Sequence, residues 1–448
     1  MPANLERLTE ELLAAAKRAG ADSADALAVD GTSVSVEVLG GQLEKAERSE
    51  GVDVGLRVLV GKRQACVSSS DTQPGTFAEM AERALAMARE APEDLNAGLA
   101  DPSQLTTSWD LEALDLVDPG AEPSAEELQD HAARAEAASL AVEGINKVET
   151  AAASYGRRQM HIATSTGFSG GYARTDRALF AVAITGEGTD MERDYFGESR
   201  IYGADLPSPE ETGRIAAERT IARAGARKPP TGAYPVLFDE RIASSLVGHV
   251  LQASNGSSIV RGASWLRDCL GKQILPKGMD LTEDPSRPRV AGSRPFDAEG
   301  LAVSSRKIID DGVLTGWTLD LATARKLGLE STGNASRGTT APPSPTVTNV
   351  ALTQGQNSRE DLLADMGTGL LVTSMIGSTV NPNTGDYSRG ASGYWVENGE
   401  ITYPVNECTI AGNLRDMLIG MRAANDARVH LSRVVPSLLV EGLTLAGE

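Results

Sequence analysis

The residues of this chain best suited to metal-dependent hydrolysis are its four histidines, His131, His161, His249 and His430. Hydrolytic zinc is commonly held by a helical HExxH or HExxxH element. Such an element places two imidazoles on one metal and a carboxylate near the metal-bound water, where it acts as a general base. No histidine in the chain is followed by glutamate, so neither element is present.

Taken one at a time, the histidines have ordinary structural interpretations. His249 lies in a predicted helix, where a core or helix-capping histidine is more common than a metal ligand. His131 lies on a polar helix of Ala, Glu and Arg residues, and we expect it to be solvated. His161 and His430 have no potential metal-binding partner at a suitable spacing. Metal binding at His249 stays open as the minor alternative.

A serine motif also has to be considered, because Gly167-Phe-Ser-Gly-Gly171 matches the letters of a GxSxG nucleophile elbow. An elbow needs a helix directly after the serine. The residues after Gly171 favour a turn and a strand, so we interpret the motif as a glycine-rich turn. Dinucleotide, P-loop and EF-hand patterns are absent from the sequence. Neighbouring acids such as Asp310 and Asp311 point in different directions rather than forming a catalytic pair.

Composition and charge narrow the class of function. The chain has 448 residues, of which 41% are hydrophobic, and this length is typical of two domains. Its net charge is −20, from 62 acidic and 42 basic residues. That charge would repel a phosphate backbone or an anionic membrane surface. We therefore expect neither nucleic acid nor membrane as a direct partner.

Cysteine usage and the amino terminus indicate a cytoplasmic protein. Cys66, Cys269 and Cys408 lie far apart and form no C-x-x-C pair, which suits a reducing compartment. The amino-terminal residues include no continuous apolar core of a signal peptide, and no other stretch approaches the length of a membrane span.

The elements that must position these residues begin with a helix. Apolar residues at helical spacing predict it from Leu5 to Arg18. Alternating valines predict strands at 34–38 and 52–60, and Gly61-Lys62 turns the second of these into a hairpin with residues 64–68. The remaining predictions before residue 227 are helices near 76–89, 124–142 and 208–224, strands at 148–155 and 179–185, and an irregular connection at 91–123.

The clearest boundary is the Pro- and Gly-containing segment that begins at Arg227. It predicts an amino-terminal α+β domain over 1–227, with a second helix-strand unit from about residue 124, and a strand-rich carboxy-terminal domain over 228–448. Asn398-Gly399 predicts a type I′ hairpin, because both residues accept positive φ. Helices and strands do not alternate in a βαβ rhythm, so the expected fold class is α+β with mixed, mainly antiparallel sheets and flanking helices. The predicted elements after the boundary are a strand at 234–238 and helices near 240–253, 319–327 and 413–421.

Two long segments carry the most specific pattern in the chain. The first begins at Gly256 and reads GSSIVRGASWLRDCLGKQILP. The second begins at Asn381 and reads NPNTGDYSRGASGYWVENGEI, with YPV and TIAGNLRDML shortly after it. Together they resemble the TldD/PmbA family, on its PmbA (TldE) branch. The resemblance extends over nearly the whole chain and is strongest from about Tyr234 to Met421.

In that family the TldD subunit bears an HExxxH zinc element, whereas PmbA or TldE relatives do not. The resemblance places Ser244 at the first histidine, Ser245 at the glutamate and His249 at the second histidine. A serine hydroxyl is neither a nitrogen ligand nor basic enough to replace the carboxylate. The third TldD ligand is a cysteine near the carboxyl end, but no residue after Asn425 is cysteine, and we expect Cys408 to be a small buried residue. We therefore expect no catalytic or metal-binding residue in this chain, a vestigial site at 244–249, and zinc only in the TldD-like partner.

The resemblance also implies a function for the complex. It implies a cytoplasmic metalloprotease that cleaves small or unfolded peptides, with this chain as a non-catalytic subunit in a heterodimer with a TldD-like chain. Free strand edges could hold an extended peptide by backbone hydrogen bonds. A homodimer is the alternative assembly. Two alternative functions also stay open: an active metallopeptidase that uses His249 with Cys408 or acidic ligands, and a binding or regulatory protein that acts on DNA gyrase or a toxin–antitoxin pair.

Overall fold

The computed structural model describes residues 4–447, apart from the side chain of Ser378. Within that range the chain forms ten α-helices and nineteen strands. The helices are α1 (Leu5–Ala19), α2 (Pro74–Glu90), α3 (Leu111–Leu114), α4 (Ala125–Leu140), α5 (Pro209–Ile221), α6 (Glu240–Ala253), α7 (Gly256–Val260), α8 (Leu321–Leu327), α9 (Arg359–Met366) and α10 (Leu414–Ile419). The strands are β1 (Ser23–Leu39), β2 (Gln42–Val60), β3 (Arg63–Ser69), β4 (Ile145–Thr164), β5 (Ser169–Thr185), β6 (Glu192–Arg200), β7 (Gly232–Phe238), β8 (Leu281–Glu283), β9 (Arg306–Asp310), β10 (Val313–Leu314), β11 (Ala335–Ser336), β12 (Ser344–Pro345), β13 (Val350–Leu352), β14 (Gly369–Val380), β15 (Asp386–Glu397), β16 (Glu400–Asn413), β17 (Arg422–Ala423), β18 (Arg433–Val434) and β19 (Leu438–Ala446).

The first six strands form one antiparallel sheet in the order β3-β2-β1-β4-β5-β6. The long strands support two separate cores. Helices α1 and α2 pack over the ends of β1 and β2 near Ala26 and Leu56. Helices α4 and α5 pack with the other end of β1 and with β4, β5 and β6, around Val36 and Ala181. The sheet therefore presents β6 as an edge strand toward the carboxy-terminal half.

The predicted helices of this half are confirmed, and α1 has a capping residue at each end. Asn4 accepts a hydrogen bond from the backbone N–H of Arg7 at the start of α1, and Gly20 ends that helix with φ 98°. Strand β2 is longer than predicted, because its residues 42–51 are exposed and carry no apolar alternation. They are held as a strand by register pairing with β1. Backbone pairing without burial leaves no pattern in the sequence.

The second large sheet has the order β16-β15-β14-β7-β19-β17, and β16 also pairs with β19. Five of its strands therefore close into a ring, in which β7 and β14 are parallel and the other pairs are antiparallel. The predicted type I′ turn between β15 and β16 is confirmed by φ values of 53° at Asn398 and 81° at Gly399. Smaller sheets of five strands (β10-β9-β8-β13-β18) and two strands (β11-β12) complete this half.

The α+β fold class with mixed, mainly antiparallel sheets is confirmed. The division into domains at residue 227 stays a prediction. None of the helices among residues 4–447 combines the length and apolar character needed to cross a membrane.

A buried ion cluster joins the amino-terminal sheet to the carboxy-terminal half. Asp25 of β1 pairs with Arg57 of β2, whose Nε donates to a carboxylate oxygen at 2.6 Å. Arg337, from the segment between β11 and β12, forms the second ion pair of Asp25. All three side chains are at most 4% exposed. Breaking a buried pair leaves a charge without compensation, so removal of any one of these three side chains is expected to be destabilising.

Candidate functional site

Helix α6 carries the residues that the sequence places at the vestigial zinc site. It begins after Asp239, whose carboxylate accepts a hydrogen bond from the backbone N–H of Arg241 at 3.1 Å. The helix buries one apolar face, which includes Leu246 and Val250, in the main core of the carboxy-terminal half. Side chains on the opposite face of α6 point away from this core, so they are the ones that can line a cavity.

Ser244 and Ser245 lie side by side on α6 but in different surroundings. Ser244 is half-buried and lines a cavity of about 420 Å³ between α6, β6 and residues 428–433. The Oγ of Ser245 is buried and has no hydrogen-bond partner within the described residues. Successive residues of a helix are about 100° apart around its axis. The two hydroxyls therefore do not point at a common position.

His249 lies five residues after Ser244, about 1.4 turns further along α6, and lines a different cavity, of about 270 Å³, whose lining also includes Trp265 and Arg261. Its ring makes an edge contact with the ring of Tyr387, with the centroids 5.8 Å apart. Within residues 4–447, its Nε2 is buried and has no hydrogen-bond partner. Burial, and then the nearby Arg389 guanidinium, lower the pKa of His249 below its usual 6.5. The imidazole is therefore neutral at neutral pH.

Cys408, the remaining ligand candidate, lies in β16 and packs against the neighbouring strand β15. Its thiol donates to the carbonyl oxygen of Ala391 at 3.2 Å and is 4% exposed, which confirms the prediction of a small buried residue. Burial raises the pKa of Cys408 to about 11. Zinc binds the thiolate form of cysteine. The thiol lies at a third cavity, of about 600 Å³, to which neither Ser244 nor His249 contributes.

These residues do not fit a catalytic zinc. A zinc protease site needs three protein ligands that converge on one point and an adjacent carboxylate base. Here Ser244, His249 and Cys408 line three different cavities. Across residues 4–447, no group of three or more His, Cys, Asp or Glu side chains is placed to hold a metal ion.

Two of the other three histidines have hydrogen-bonding neighbours that sequence spacing does not reveal. His161 is buried, with Nδ1 2.9 Å from the hydroxyl of Thr9. His430 has Nε2 3.3 Å from a carboxylate oxygen of Glu198. His131 is half-buried on α4. The Nε2 of His161 also lies 3.4 Å from the hydroxyl of Ser169, and His131 is less exposed than the sequence predicts.

The serine of the GxSxG motif is structural. A turn ends at Phe168, and Ser169 is the first residue of β5, so no helix follows the serine. The absence of a nucleophile elbow is confirmed, but the interpretation as a turn is correct only for Gly167, because Ser169 to Gly171 belong to β5. Phe168 packs in an aromatic cluster with Trp109 and Phe296. The glycines permit close packing there, because a Cβ at Gly170 would lie 2.8 Å from the Trp109 ring.

The cavity beside Ser244 has a distinctive charge. Its lining includes seven consecutive residues, 195–201, from β6 and the residue after it. We name it the arginine cavity after the six arginines of its lining, Arg200, Arg219, Arg241, Arg289, Arg428 and Arg433. Glu198 is the one acidic residue in that lining, which concentrates positive charge at this place in an acidic chain.

Much of this charge is organised around buried carboxylates of β6. Asp194 and Glu198 lie on one face of the strand, because side chains of a strand alternate. Arg241 donates to Asp194 at 3.1 Å, and Arg428 donates to Glu198 at 3.0 Å. Glu198 also faces His430, whose pKa is lowered mainly by burial and further by Arg200. The contacts fix β6 against α6 and the segment before β18.

Comparison with known proteins identifies relatives of similar sequence and fold. Three family models match consecutive parts of the chain, described as PmbA/TldA metallopeptidase domain 1 (residues 24–88), central domain (118–224) and C-terminal domain (231–447). The metalloprotease PmbA of Escherichia coli O157:H7 is 38% identical over 429 residues, which are 95% of this chain and 93% of the relative. This chain belongs to the PmbA/TldD metallopeptidase family. The family that the sequence motifs resemble is thereby confirmed.

Other members of the family show the same extent of similarity. The metalloprotease PmbA homolog of Haemophilus influenzae is 35% identical over 437 residues, which are 96% of this chain and 94% of the relative. A crystal structure from Bacteroides thetaiotaomicron, described as a modulator of DNA gyrase, superposes with a TM-score of 0.91 at 27% identity and covers 99% of both chains. TldE from Thermococcus kodakarensis has a TM-score of 0.84 at 19% identity, covers 98% of this chain and 99% of its own, and so shares the fold.

The arginine cavity could not be found from the sequence. Its arginines come from β6, α5, α6, residue 289 and residues 428–433, which only the folded chain brings together. No local cluster of basic residues marks them. The single available signal is the alternation of Asp194, Phe196, Glu198 and Arg200, which places opposite charges on one face of an edge strand.

Proposed function

We propose that this chain is the non-catalytic subunit of a cytoplasmic metalloprotease complex, in which it helps to hold extended peptides while a TldD-like subunit binds the zinc. The observation that carries the proposal is the separation of the candidate ligands. Ser244, His249 and Cys408 line three different cavities, so they do not converge on one metal ion. Family membership supplies the protease context, since relatives such as the E. coli protein are named metalloproteases.

The chemistry of these side chains supports a non-catalytic role. Hydrolysis of a peptide bond by zinc requires a base to deprotonate the bound water. Ser245 stands at the position of that base in the HExxxH element, and a serine hydroxyl is not basic at neutral pH. The neutral imidazole of His249 packs against Tyr387 rather than beside a carboxylate. A single imidazole with two hydroxyls gives neither the ligand set nor the base.

The architecture supports a role in holding peptides. Strand β6 is an edge strand, and cavities of about 600 and 420 Å³ lie where this strand approaches the carboxy-terminal half. An extended peptide can add to such an edge through backbone hydrogen bonds, with little demand on its sequence. Cys66, Cys269 and Cys408 are all free thiols, which suits the reducing cytoplasm.

Metal analysis and co-purification test this proposal. The purified full-length chain is expected to contain far less than one equivalent of zinc, with the same value for a His249→Ala variant. Co-expression with a relative that carries HExxxH is expected to yield a one-to-one complex, with zinc in the relative. Stoichiometric zinc that is lost in His249→Ala would instead assign the metal to this chain and contradict the proposal. A homodimer that excludes the relative would contradict the assembly.

A further inference from the structure

We propose that the arginine cavity binds a carboxylate of an extended peptide, either its carboxy-terminal group or an acidic side chain. This inference rests on the proposed function, because it names the chemical group through which this chain would hold a peptide. It adds a ligand preference and a location to that function. The argument uses charge, unpaired donors and the adjacent strand edge.

The electrostatic argument starts from the contrast between the cavity and the chain. The chain has a net charge of −20, whereas the cavity lining has six arginines and one glutamate. Arg241, Arg289 and Arg428 are also paired with carboxylates just outside the lining, so the positive charge that can attract an anionic group comes mainly from Arg200, Arg219 and Arg433. Arginine is also the side chain whose planar fork matches a carboxylate, with two parallel N–H donors.

Several of these guanidinium groups keep donors for a ligand. Arg241, Arg289 and Arg428 form ion pairs of 3.1, 2.6 and 2.7 Å with protein carboxylates. Arg219 donates to the carbonyl oxygen of Tyr195 and lies over a phenylalanine ring, and Arg433 is exposed. Within the part of the chain that the structure describes, neither Arg219 nor Arg433 has a carboxylate within 4.0 Å.

Arg200 supplies a third, independent observation. Its Nε is buried and has no hydrogen-bond partner among residues 4–447, and the nearest carboxylate oxygen, on Glu198, is 3.7 Å away. A buried cationic donor without a partner is costly, and structures generally satisfy such a donor with a ligand or water. The same Glu198 is shared with Arg428 and His430. The carboxylate of Glu198 is shared by two guanidinium groups and an imidazole. N–H donors therefore remain from which a second anion can accept hydrogen bonds.

The position of strand β6 beside the cavity favours an extended peptide as the source of the bound carboxylate. Residues 195–201 line the cavity, and β6 is the last strand of its sheet. Its outer edge offers backbone groups to an extended chain. Two side chains bind this edge at its start: the Thr220 hydroxyl accepts from the backbone N–H of Asp194 and donates to the carbonyl oxygen of the same residue, and Arg219 donates to the carbonyl oxygen of Tyr195. A volume of about 420 Å³ is within the range of small-ligand sites and accommodates a chain end or one side chain rather than a folded domain.

Fluorescence anisotropy with three labelled peptides tests the inference. The peptides share an unstructured, neutral ten-residue sequence. One ends in a free carboxylate, one ends in an amide, and one has an internal glutamate with an amide end. Each is titrated with the full-length chain, alone and co-purified with its HExxxH-bearing relative. We expect at least one of the two carboxylate peptides to bind about tenfold more tightly than the neutral amide peptide, and which of them does so identifies the source of the carboxylate.

Variants connect the preference to the cavity. Arg433→Gln removes an exposed guanidinium and Arg219→Gln a partly buried one, and each is expected to reduce the carboxylate preference to about twofold or less. Arg267→Gln is the matched control, because Arg267 is an exposed arginine that does not line the cavity. It is expected to keep the full preference. Raising the salt concentration is expected to weaken the carboxylate peptides more than the amide peptide.

The outcomes separate the two proposals. If all three peptides bind with equal affinity, the peptide-holding function stands and the carboxylate inference is wrong. If the preference survives in both Arg433→Gln and Arg219→Gln, the carboxylate is bound elsewhere and the inference is also wrong. If no peptide binds to the chain or to the complex, both proposals fail.

Discussion

The buried carboxyl group of Glu299 gives this protein a stability that falls as the pH rises from acid to neutral. Glu299 is 5% exposed, and its carboxyl oxygen accepts a hydrogen bond of 2.9 Å from the backbone N–H of Leu321, the first residue of α8. Burial, and then the adjacent carboxylate of Asp297, raise its pKa from the ordinary 4.5 to about 8. Asp320 raises this pKa further, and the guanidinium of Arg57 lowers it. The folded protein therefore keeps a proton at neutral pH that the unfolded chain releases.

The sign and size of the effect follow from linkage. Below pH 4.5 the carboxyl is protonated in both states, and its contribution to stability is fully present. As the pH rises toward 8, the unfolded chain ionises first, so the free energy of unfolding decreases by up to about 1.4 kcal/mol for each pH unit. Between pH 5 and pH 7 the loss from this group alone is about 2–3 kcal/mol. A Glu299→Gln variant cannot ionise and does not show this part of the loss.

Urea unfolding at pH 5, 6 and 7, followed by the fluorescence of the four tryptophans, measures the difference. The free energy of unfolding of the parent protein is expected to decrease more steeply with pH than that of Glu299→Gln, by about 2 kcal/mol over the range. Glu330→Gln is the matched control, since Glu330 is exposed a few residues after α8. It should follow the parent protein. Parallel pH profiles for the parent and Glu299→Gln would refute the argument, because they would show that Glu299 does not hold the proton and that it is ionised or that the neighbouring Asp297, whose pKa burial also raises, carries the proton instead.

Three further changes test the buried ion cluster between the two halves and the packing and capping of α5. Asp25→Asn leaves the two guanidiniums of the buried ion cluster without their carboxylate and is expected to cost about 3–5 kcal/mol in urea unfolding; a loss below 1 kcal/mol would show that water reaches the cluster. Gly213→Ala places a Cβ 2.0 Å from the carbonyl oxygen of Ala135, so α5 must move away from α4. We expect a loss of about 1–3 kcal/mol, and an unchanged melting temperature would contradict the close contact. Ser208→Ala removes the hydroxyl that accepts a hydrogen bond from the backbone N–H of Glu211 at the start of α5. We expect this variant to lose about 1 kcal/mol of stability and Ser208→Asn to keep it, because asparagine also caps helices. Thermal unfolding of both variants measures the difference.

Elements with their own burial pattern could be predicted from the sequence. The helix predicted at 240–253 coincides with α6, because its apolar residues recur at helical spacing and Asp239 caps it. The hairpin at Asn398-Gly399 is fixed by residues that accept positive φ. In contrast, the exposed residues 42–51 of β2 are held by backbone pairing with β1, and the three-residue strands β8 and β13 pair with each other and with β9 and β18 across long separations in the chain. Local periodicity has no information about such pairing.

The same limit applies to the candidate site: the chemistry of its single residues could be predicted from the sequence, but their arrangement in space could not. Residue chemistry alone showed that Ser244 and Ser245 cannot replace a histidine and a glutamate. It could not show that Ser244 and His249 face different cavities, because that depends on where β6 and the β14–β16 strands lie around α6. The arginine cavity was beyond the sequence for the same reason. Its charges are distributed over more than 200 residues of chain and become a cluster only after folding.

The most direct test of the central claim is cleavage of an unstructured peptide by this chain, by its HExxxH-bearing relative, and by the two together. The account predicts no hydrolysis by this chain alone and chelator-sensitive hydrolysis by the pair. It also predicts that a His249→Gln variant of this chain supports the pair at a rate within about twofold of the parent. Chelator-sensitive hydrolysis by the isolated chain, abolished in His249→Gln, would show that this polypeptide carries an active site of its own.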